Sequence, residues 1–364
     1  MNRIPVSYNE KFLYDICLTD SFEYLAEELI KIGTLHRKIC IVSETNVAPL
    51  YLDKVKKQIE NACDYVTFFV FNAGEENKNL NTVRDLYEFL IEEHFDRNDF
   101  LIALGGGVTG DLTGYTAATY LRGISFIQIP TTLVSQVDSS IGGKTGVDFD
   151  SYKNMVGAFH QPVLVYINYN TLKTLIRRVY LSGMGEVIKH GLIRNKQEFH
   201  WLISNSEGIK NLESSSLEHM LYESIMVKKN VVENDPNEKG ERAILNFGHT
   251  LGHAIEKHMN FNLFHGECVA IGSVLAAKIS YNKGLITKDD YNSIVNAFKM
   301  FELPVSTNEY SLQKDDFTQI INNSKNDKKM DGKTIKFILL KEIGNAYIDK
   351  TITCDDMLQV LNNQ

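Results

Sequence analysis

Three segments between residues 183 and 267 carry side chains able to hold a divalent cation. Gly183 to Lys189 reads GMGEVIK and holds Glu186, Asn246 to His253 reads NFGHTLGH and holds His249 and His253, and Phe264 to Glu267 reads FHGE and holds His265. One carboxylate and two imidazoles form a three-ligand set with a position left open, the pattern of catalytic rather than structural zinc. The i, i+4 spacing puts His249 and His253 on one helix face, so spacing alone makes both of them ligands. A lone histidine is more often a satisfied core or surface group; the recurrence in three segments is what raises the metal reading here.

A second set suits a phosphate. The run Gly105-Gly106-Gly107-Val108-Thr109-Gly110-Asp111 follows a strand-like segment and opens a helix-like one. Glycines there let a backbone approach a phosphate, and a helix N-terminus offers free N–H groups. The run is not the G-x-G-x-x-G fingerprint, so a nucleotide site and a plain tight turn both fit it. Glu75 to Lys78 (EENK) and Thr131-Thr132 at a strand end can line such a turn, or serve as surface and capping residues.

A third set is cationic. Lys144, Lys153, Lys189, Lys228, Arg122 and Arg242 lie beside glycines or inside mixed apolar segments, and Lys144 sits within Gly142-Gly143-Lys144-Thr145-Gly146. Any one of them reads as an ordinary surface cation. Together they are what an acidic protein needs to hold a carboxylate and a phosphate.

The elements that must position these residues fall into two textures. Residues 38–43, 65–71, 100–104, 123–130 and 163–167 are strand-like and alternate with helical spacing over 52–61 and 80–94. That alternation predicts an α/β domain over 1–170 with a parallel-type sheet and helices on both faces. From 171 to 364 long amphipathic segments dominate (181–204, 214–233, 248–259, 265–283, 288–301), predicting a mainly helical domain closed by a short strand pair and a last helix.

Composition bounds the function. The chain has 364 residues, 43% hydrophobic and 23% charged, enough for two cores. Thirty-eight basic against 46 acidic residues leave a net charge of −8, which argues against a nucleic-acid partner. The five cysteines form no CxxC pair and read as reduced cytosolic thiols. No apolar leader is evident at the N-terminus and no run is long enough to span a membrane, so a cytoplasmic location is expected.

Taken together, the segments resemble the 3-dehydroquinate synthases. The likeness is carried by GGGVTGDLTGYTAATYLRGISFIQIPTTLVSQVDSSIGGKTGVDFDSYKNMVGAFHQP, GMGEVIKHGLI, VVENDPNEKGERAILNFGHTLGHAIE and HGECVAIG, and extends over roughly residues 38 to 345. It implies NAD and a divalent metal, zinc or cobalt, as cofactors, with the active site in a cleft between the two domains. The implied metal ligands are Glu186, His249 and His265, so that His253 faces substrate, against the spacing argument. The implied NAD residues are Glu75, Lys78, Gly107, Val108, Thr109, Gly110, Asp111, Thr131, Thr132, Lys144, Lys153, Thr171, Leu172, Lys173 and Thr174, with Glu44 and Asn46 toward the adenosine end. Arg122, Asp138, Asn154, Lys189, Lys228, Arg242, Asn246, His253 and Lys328 (or Lys329) are implied for the substrate. Lys153, Asn246, His253, Lys189 and Lys144 take the catalytic roles. Gly185, Pro236 and Ala73 depart from the family pattern.

The reaction so implied turns a small anionic sugar-acid phosphate, 3-deoxy-D-arabino-heptulosonate 7-phosphate, into 3-dehydroquinate and phosphate, in a homodimer whose Arg122 can serve the partner's site. Two alternative activities stand beside it, as does a catalytically inactive binding or scaffold protein, against which retention of the full polar set argues. One is another sugar phosphate cyclase, such as 2-deoxy-scyllo-inosose synthase; the other is a polyol dehydrogenase of the glycerol dehydrogenase type.

Overall fold

In the computed structural model, residues 1–150, 152–327 and 336–364 are described. The chain forms two compact units: Met1–Leu175 with Val232–Asn237, and Ile176–Val231 with Glu238–Gln364. The return of Val232–Asn237 to the first unit is a feature that a single cut in the sequence does not contain.

The first unit is ordered as β1 (Asn2–Tyr8), β2 (Lys11–Thr19), α1 (Leu25–Lys31), β3 (Lys38–Glu44), α2 (Ala48–Ile59), β4 (Tyr65–Phe71), α3 (Leu80–Glu92), β5 (Phe100–Gly105), α4 (Gly107–Thr119), β6 (Ser125–Pro130), β7 (Lys144–Phe149), β8 (Tyr152–Phe159) and β9 (Leu164–Asn168). Seven strands make one sheet in the order β1-β2-β9-β6-β5-β3-β4. Every neighbouring pair is parallel except β1 with β2. Alternation along a strand sends successive side chains to opposite faces. Ile39 and Ile41 of β3 thus pack with Leu25 and Leu29 of α1 and with Leu52, Val55 and Ile59 of α2. Cys40 and Val42 pack on the other face with Val83, Leu86 and Leu90 of α3 and with Leu112 and Ala117 of α4. Burial on both faces explains why these strands are near-continuous apolar runs.

Two hairpins are additional to the sequence reading. β1 and β2 turn through Asn9 and Glu10, both left-handed at φ 48° and 63°, with Tyr8 opposite Lys11. That is a two-residue turn made without the glycine that signals one. β7 and β8 pair across Gly146 and Gly157, where a side chain on either glycine would press on the opposite backbone. Lys144, read among glycines, therefore opens a strand.

The second unit comprises α5 (Arg177–Arg194), α6 (Lys196–Ser204), α7 (Ser206–Lys210), most of α8 (Ser214–Asn234), α9 (His249–His258), α10 (His265–Asn282), α11 (Lys288–Met300), α12 (Lys314–Asp327), the hairpin β10 (Phe337–Glu342) with β11 (Asn345–Asp349), and α13 (Cys354–Asn362). α5 is buried all round from Tyr180 to Ile193, and α10 from Gly266 to Ala277, as suits helices at the centre of a helical domain. α12 lies outside the helices expected; its apolar residues Phe317, Ile320 and Ile321 span little more than one turn, too short a pattern to read.

Glu198 of α6 is buried, and its Oε2 lies 3.1 Å from His219 Nε2 on α8. Burial, with Glu223 nearby, pushes its carboxyl up to about 8. A carboxyl raised by folding takes up a proton as the chain folds. Its contribution is full below the unfolded value, near 4.3, and is lost as pH rises toward 8. Glu198→Gln should therefore gain stability relative to the wild type between pH 5 and pH 8, by about 1 kcal/mol or more at pH 8. Denaturant midpoints across that range check this; a difference independent of pH would refute it.

Candidate functional site

In the first unit, β5 runs directly into α4 through Gly105, Gly106 and Gly107. Gly106 caps the helix and no described side chain caps its first amides. A Cβ at Gly105 would collide with the Thr109 side chain, one at Gly106 would lie 3.1 Å from Thr132 Cγ2, and one at Gly107 would lie 3.2 Å from Ser139 Oγ. The glycines are thus required by close packing as well as by an open helix end. Thr131 N donates to Gly105 O at 2.9 Å. Among the described residues, the buried hydroxyls of Thr109 and Thr131 find no partner, whereas Thr132 Oγ1 meets Ser135 Oγ at 2.8 Å in a local cap.

Around this turn the fold gathers residues that lie far apart in the chain. Lys78, 4% exposed, donates through Nζ to Asp111 Oδ2 and to Asn154 Oδ1, each at 2.6 Å. Glu75 Oε1 lies 3.9 Å from Lys78 Nζ and 4.0 Å from Lys153 Nζ. Burial works against the Lys78 ammonium, yet Asp111 and Glu75 hold its pKa above the ordinary value. Asp148 braces the group, donating its amide to Lys78 O at 2.8 Å and accepting from Asn154 N at 2.7 Å. Asn79 then caps α3 by accepting from Asn81 N and Thr82 N. The sequence had no signal for Asp148 beyond its place near the end of β7.

Other expected residues of this unit are placed differently. Thr171 and Leu172 are buried in a 3-10 turn, with Thr171 Oγ1 accepting from Gln136 and Thr174 Oγ1 bonded to Tyr51 OH; Lys173 is exposed. Glu44 accepts from Asn46 N at 2.6 Å on the surface. Arg122 is exposed, and both it and Leu121 are left-handed, at φ 69° and 50°. Such non-glycine conformations cost on the order of 1–3 kcal/mol each. Asp138 lies in the Ser135–Ser139 turn, half-buried.

In the second unit the cation-competent residues converge. Glu186, with no exposed surface, forms an ion pair through Oε2 with Lys189 one turn on. Its Oε1 lies 3.2 Å from His265 Nε2 and 3.5 Å from His249 Nε2. The ligand atoms of His249, His253 and His265 all lie within 4.8 Å of one another. His249 and His265 are the first residues of α9 and α10. What brings them to α5 is backbone contact: a Cβ at Gly185 would collide with Gly266 O, one at Gly266 with Ser182 O, and one at Gly272 with Gly248 O. Gly185 thus lies in the α5–α10 crossing, where a side chain would press on the α10 backbone. Gly248, at φ 78°, must also lack a side chain to start α9 beneath Ser273.

The charges suit a cation. Burial would raise the Glu186 carboxyl, but Lys189, His249 and His265 reverse this and hold it well below the usual range. Burial, then Lys189, keeps His249 neutral, with a lone pair to give. Burial lowers His265, but hydrogen bonds to Glu186 and Glu256 outweigh that and push it up to about 10, so an entering metal would displace a proton there. Close by in sequence, Asn246 Nδ2 donates to Glu238 Oε1 at 3.1 Å. Lys228 and Arg242 are buried, at 7% and 1% exposed. Glu238 and Glu256 were missed by the sequence reading; the signal available for Glu256 was its i+3 and i+7 spacing from His253 and His249. Lys328, and its alternative Lys329, lie outside the described residues.

Residues 68–182 match the family described as 3-dehydroquinate synthase N-terminal, and residues 183–330 the family described as 3-dehydroquinate synthase C-terminal. The 3-dehydroquinate synthase of Acetivibrio thermocellus is 42% identical over 346 residues, covering 95% of this chain and 94% of that protein. That of Prochlorococcus marinus strain AS9601 is 44% identical over 324 residues, 88% of each. Among solved structures, a 2-epi-5-epi-valiolone synthase from Streptomyces hygroscopicus with NAD+ and Zn2+ bound superposes with a TM-score of 0.87 at 24% identity, over 98% of both chains; at that identity the likeness is one of fold. Family matches that together cover residues 68–330, and relatives above 40% identity, place this chain in the 3-dehydroquinate synthase family, as an enzyme of that family.

Proposed function

We propose that this chain converts 3-deoxy-D-arabino-heptulosonate 7-phosphate to 3-dehydroquinate and phosphate, as a cytoplasmic, NAD- and metal-dependent lyase supplying aromatic amino acid biosynthesis. The observation that carries the reading is the meeting of one buried carboxylate oxygen, Glu186 Oε1, with the Nε2 atoms of His249 and His265. The donor set fits zinc or cobalt, and the glycine turn with its open helix end and unpartnered Thr109 and Thr131 hydroxyls fits a dinucleotide phosphate. When bound, the metal lowers the pKa of a hydroxyl that it touches, and NAD takes up a hydride and returns it.

The chain's own residues do the rest. Glu186, His249 and His265 hold the metal, and Lys189 keeps Glu186 ionised from its other oxygen. Gly107 to Asp111, Thr131 and Thr132 receive the cofactor phosphates, while Glu75, Lys78, Lys144 and Lys153 line the rest of its path. Lys228, Arg242, Asn154, Asp138 and Arg122 fix the substrate's carboxylate, hydroxyls and phosphate. His253, beside the two ligand rings, holds or releases a proton at a substrate oxygen. Asn246 is oriented by Glu238 and steadies the developing enolate by donating its second amide hydrogen.

Four outcomes test this. Phosphate should be released from the heptulosonate phosphate without net NADH formation, should stop with a chelator, and should not appear from glucose 6-phosphate; net NADH would instead indicate a polyol dehydrogenase. Glu186→Gln should lose both bound metal and turnover, the latter by at least about 1,000-fold; metal content and phosphate release check it together.

The reading also includes a homodimer in which Arg122, on its exposed left-handed turn, serves the partner's substrate. If so, mixing and reassembling inactive Arg122→Ala and His265→Ala subunits should restore up to about a quarter of wild-type activity, since half the dimers then hold one intact site. No recovery in a mixture shown by light scattering to have exchanged subunits would place Arg122 in its own subunit's chemistry.

A further inference from the structure

The two imidazoles that meet Glu186 are held differently at their other nitrogens. His249 Nδ1 lies 3.0 Å from the backbone carbonyl of Phe247, two residues before it. His265 Nδ1 faces a carboxylate, Glu256 Oε2, at 3.5 Å. Glu256 is buried, at 6% exposed, and lies in α9 one turn past His253. Phe261 N donates to its carbonyl at 3.0 Å, so the residue also anchors the loop that returns the chain to α10.

His265 has more need of such a hold than the others. Its side chain is 35% exposed, against 12% for His249 and none for Glu186. A neutral imidazole carries one N–H. To offer a lone pair at Nε2, beside Glu186 Oε1, His265 must carry its proton on Nδ1. A carboxylate at Nδ1 selects that tautomer, fixes the ring plane and makes Nε2 more basic, and an outer carboxylate of this kind typically changes metal affinity 10–100-fold.

We propose that Glu256 is a positioning residue, whose carboxylate accepts the Nδ1 proton of His265 and presents Nε2 to a divalent cation shared with Glu186 and His249. The inference rests on the reading that these three residues hold a metal. Its contribution is to the readiness of the third ligand, and it acts through His265.

The test uses the full chain, stripped with a chelator and titrated with Co2+ against a chromophoric competitor, with the visible Co2+ absorption recorded. Glu256→Gln and Glu256→Ala should weaken Co2+ binding by about 10–100-fold and alter the absorption band, with Glu256→Asp recovering part of the loss. Glu256→Gln preserves shape and should melt near the wild type when metal-free, so it decides the matter where Glu256→Ala does not fold. Co2+ binding by Glu256→Gln within about two-fold of the wild type would overturn the proposal, and so would a loss of metal-free stability with no change in Co2+ affinity. Glu186→Gln runs as the control. If it binds Co2+ as tightly as the wild type, the metal reading itself falls; if it loses Co2+ while the Glu256 variants keep it, only the present inference does.

Discussion

A carboxylate with no exposed surface has to be met by positive charge or hydrogen bonds, and the second unit is arranged around one. Glu186 sits mid-helix in α5 with Lys189 on one oxygen and two imidazoles on the other. Removing a single partner from such a buried set typically costs about 3–5 kcal/mol, because the remaining charge is stranded. A set of this kind is weak evidence for stability and stronger evidence for a site, since an apolar replacement would pack as well. The glycines follow from it: only backbones in contact bring the first residues of α9 and α10 within reach of α5, and each of these crossings is made where a Cβ would strike a carbonyl.

The first unit meets a different constraint. The central strands of its sheet are buried on both faces, which leaves little room for polar chemistry along them, and the polar group beside the glycine turn collects where strands end. The turn after β5 leaves helix amides open, and Lys78, Asp111 and Asn154 form a closed polar group beside it. Lys78 keeps its charge at 4% exposure because Asp111 is within hydrogen-bond distance. That group joins side chains from the turn before α3, from α4 and from the β8 hairpin, with Asp148 as the brace between them.

Strong local patterns made much of the architecture legible. β3, β4, β5 and β9 are apolar runs bounded by polar or glycine residues, and α8, α10 and α11 have long helical spacing; each lies close to where the pattern put it. The elements that escaped had weak local signals. The β1–β2 hairpin uses Asn9-Glu10 instead of Asn-Gly, and α12 has barely one turn of apolar spacing. The β7–β8 pair carries glycines for cross-strand clearance, which in sequence looks like a loop.

By itself, the sequence determined which residue types the chemistry has to draw on, and, through long runs that match a known family, which family the chain belongs to. It left the histidine roles divided: i, i+4 spacing links His249 to His253, because spacing records only neighbours on one helix. The tertiary structure decided that Glu186 Oε1 meets His249 and His265, since that depends on three helices from distant segments crossing at glycines. It also decided that Glu256 stands behind His265, a contact between a side chain late in α9 and the first residue of α10 that no periodicity encodes. Packing of backbone on backbone sets such distances, and packing is a property of the folded chain.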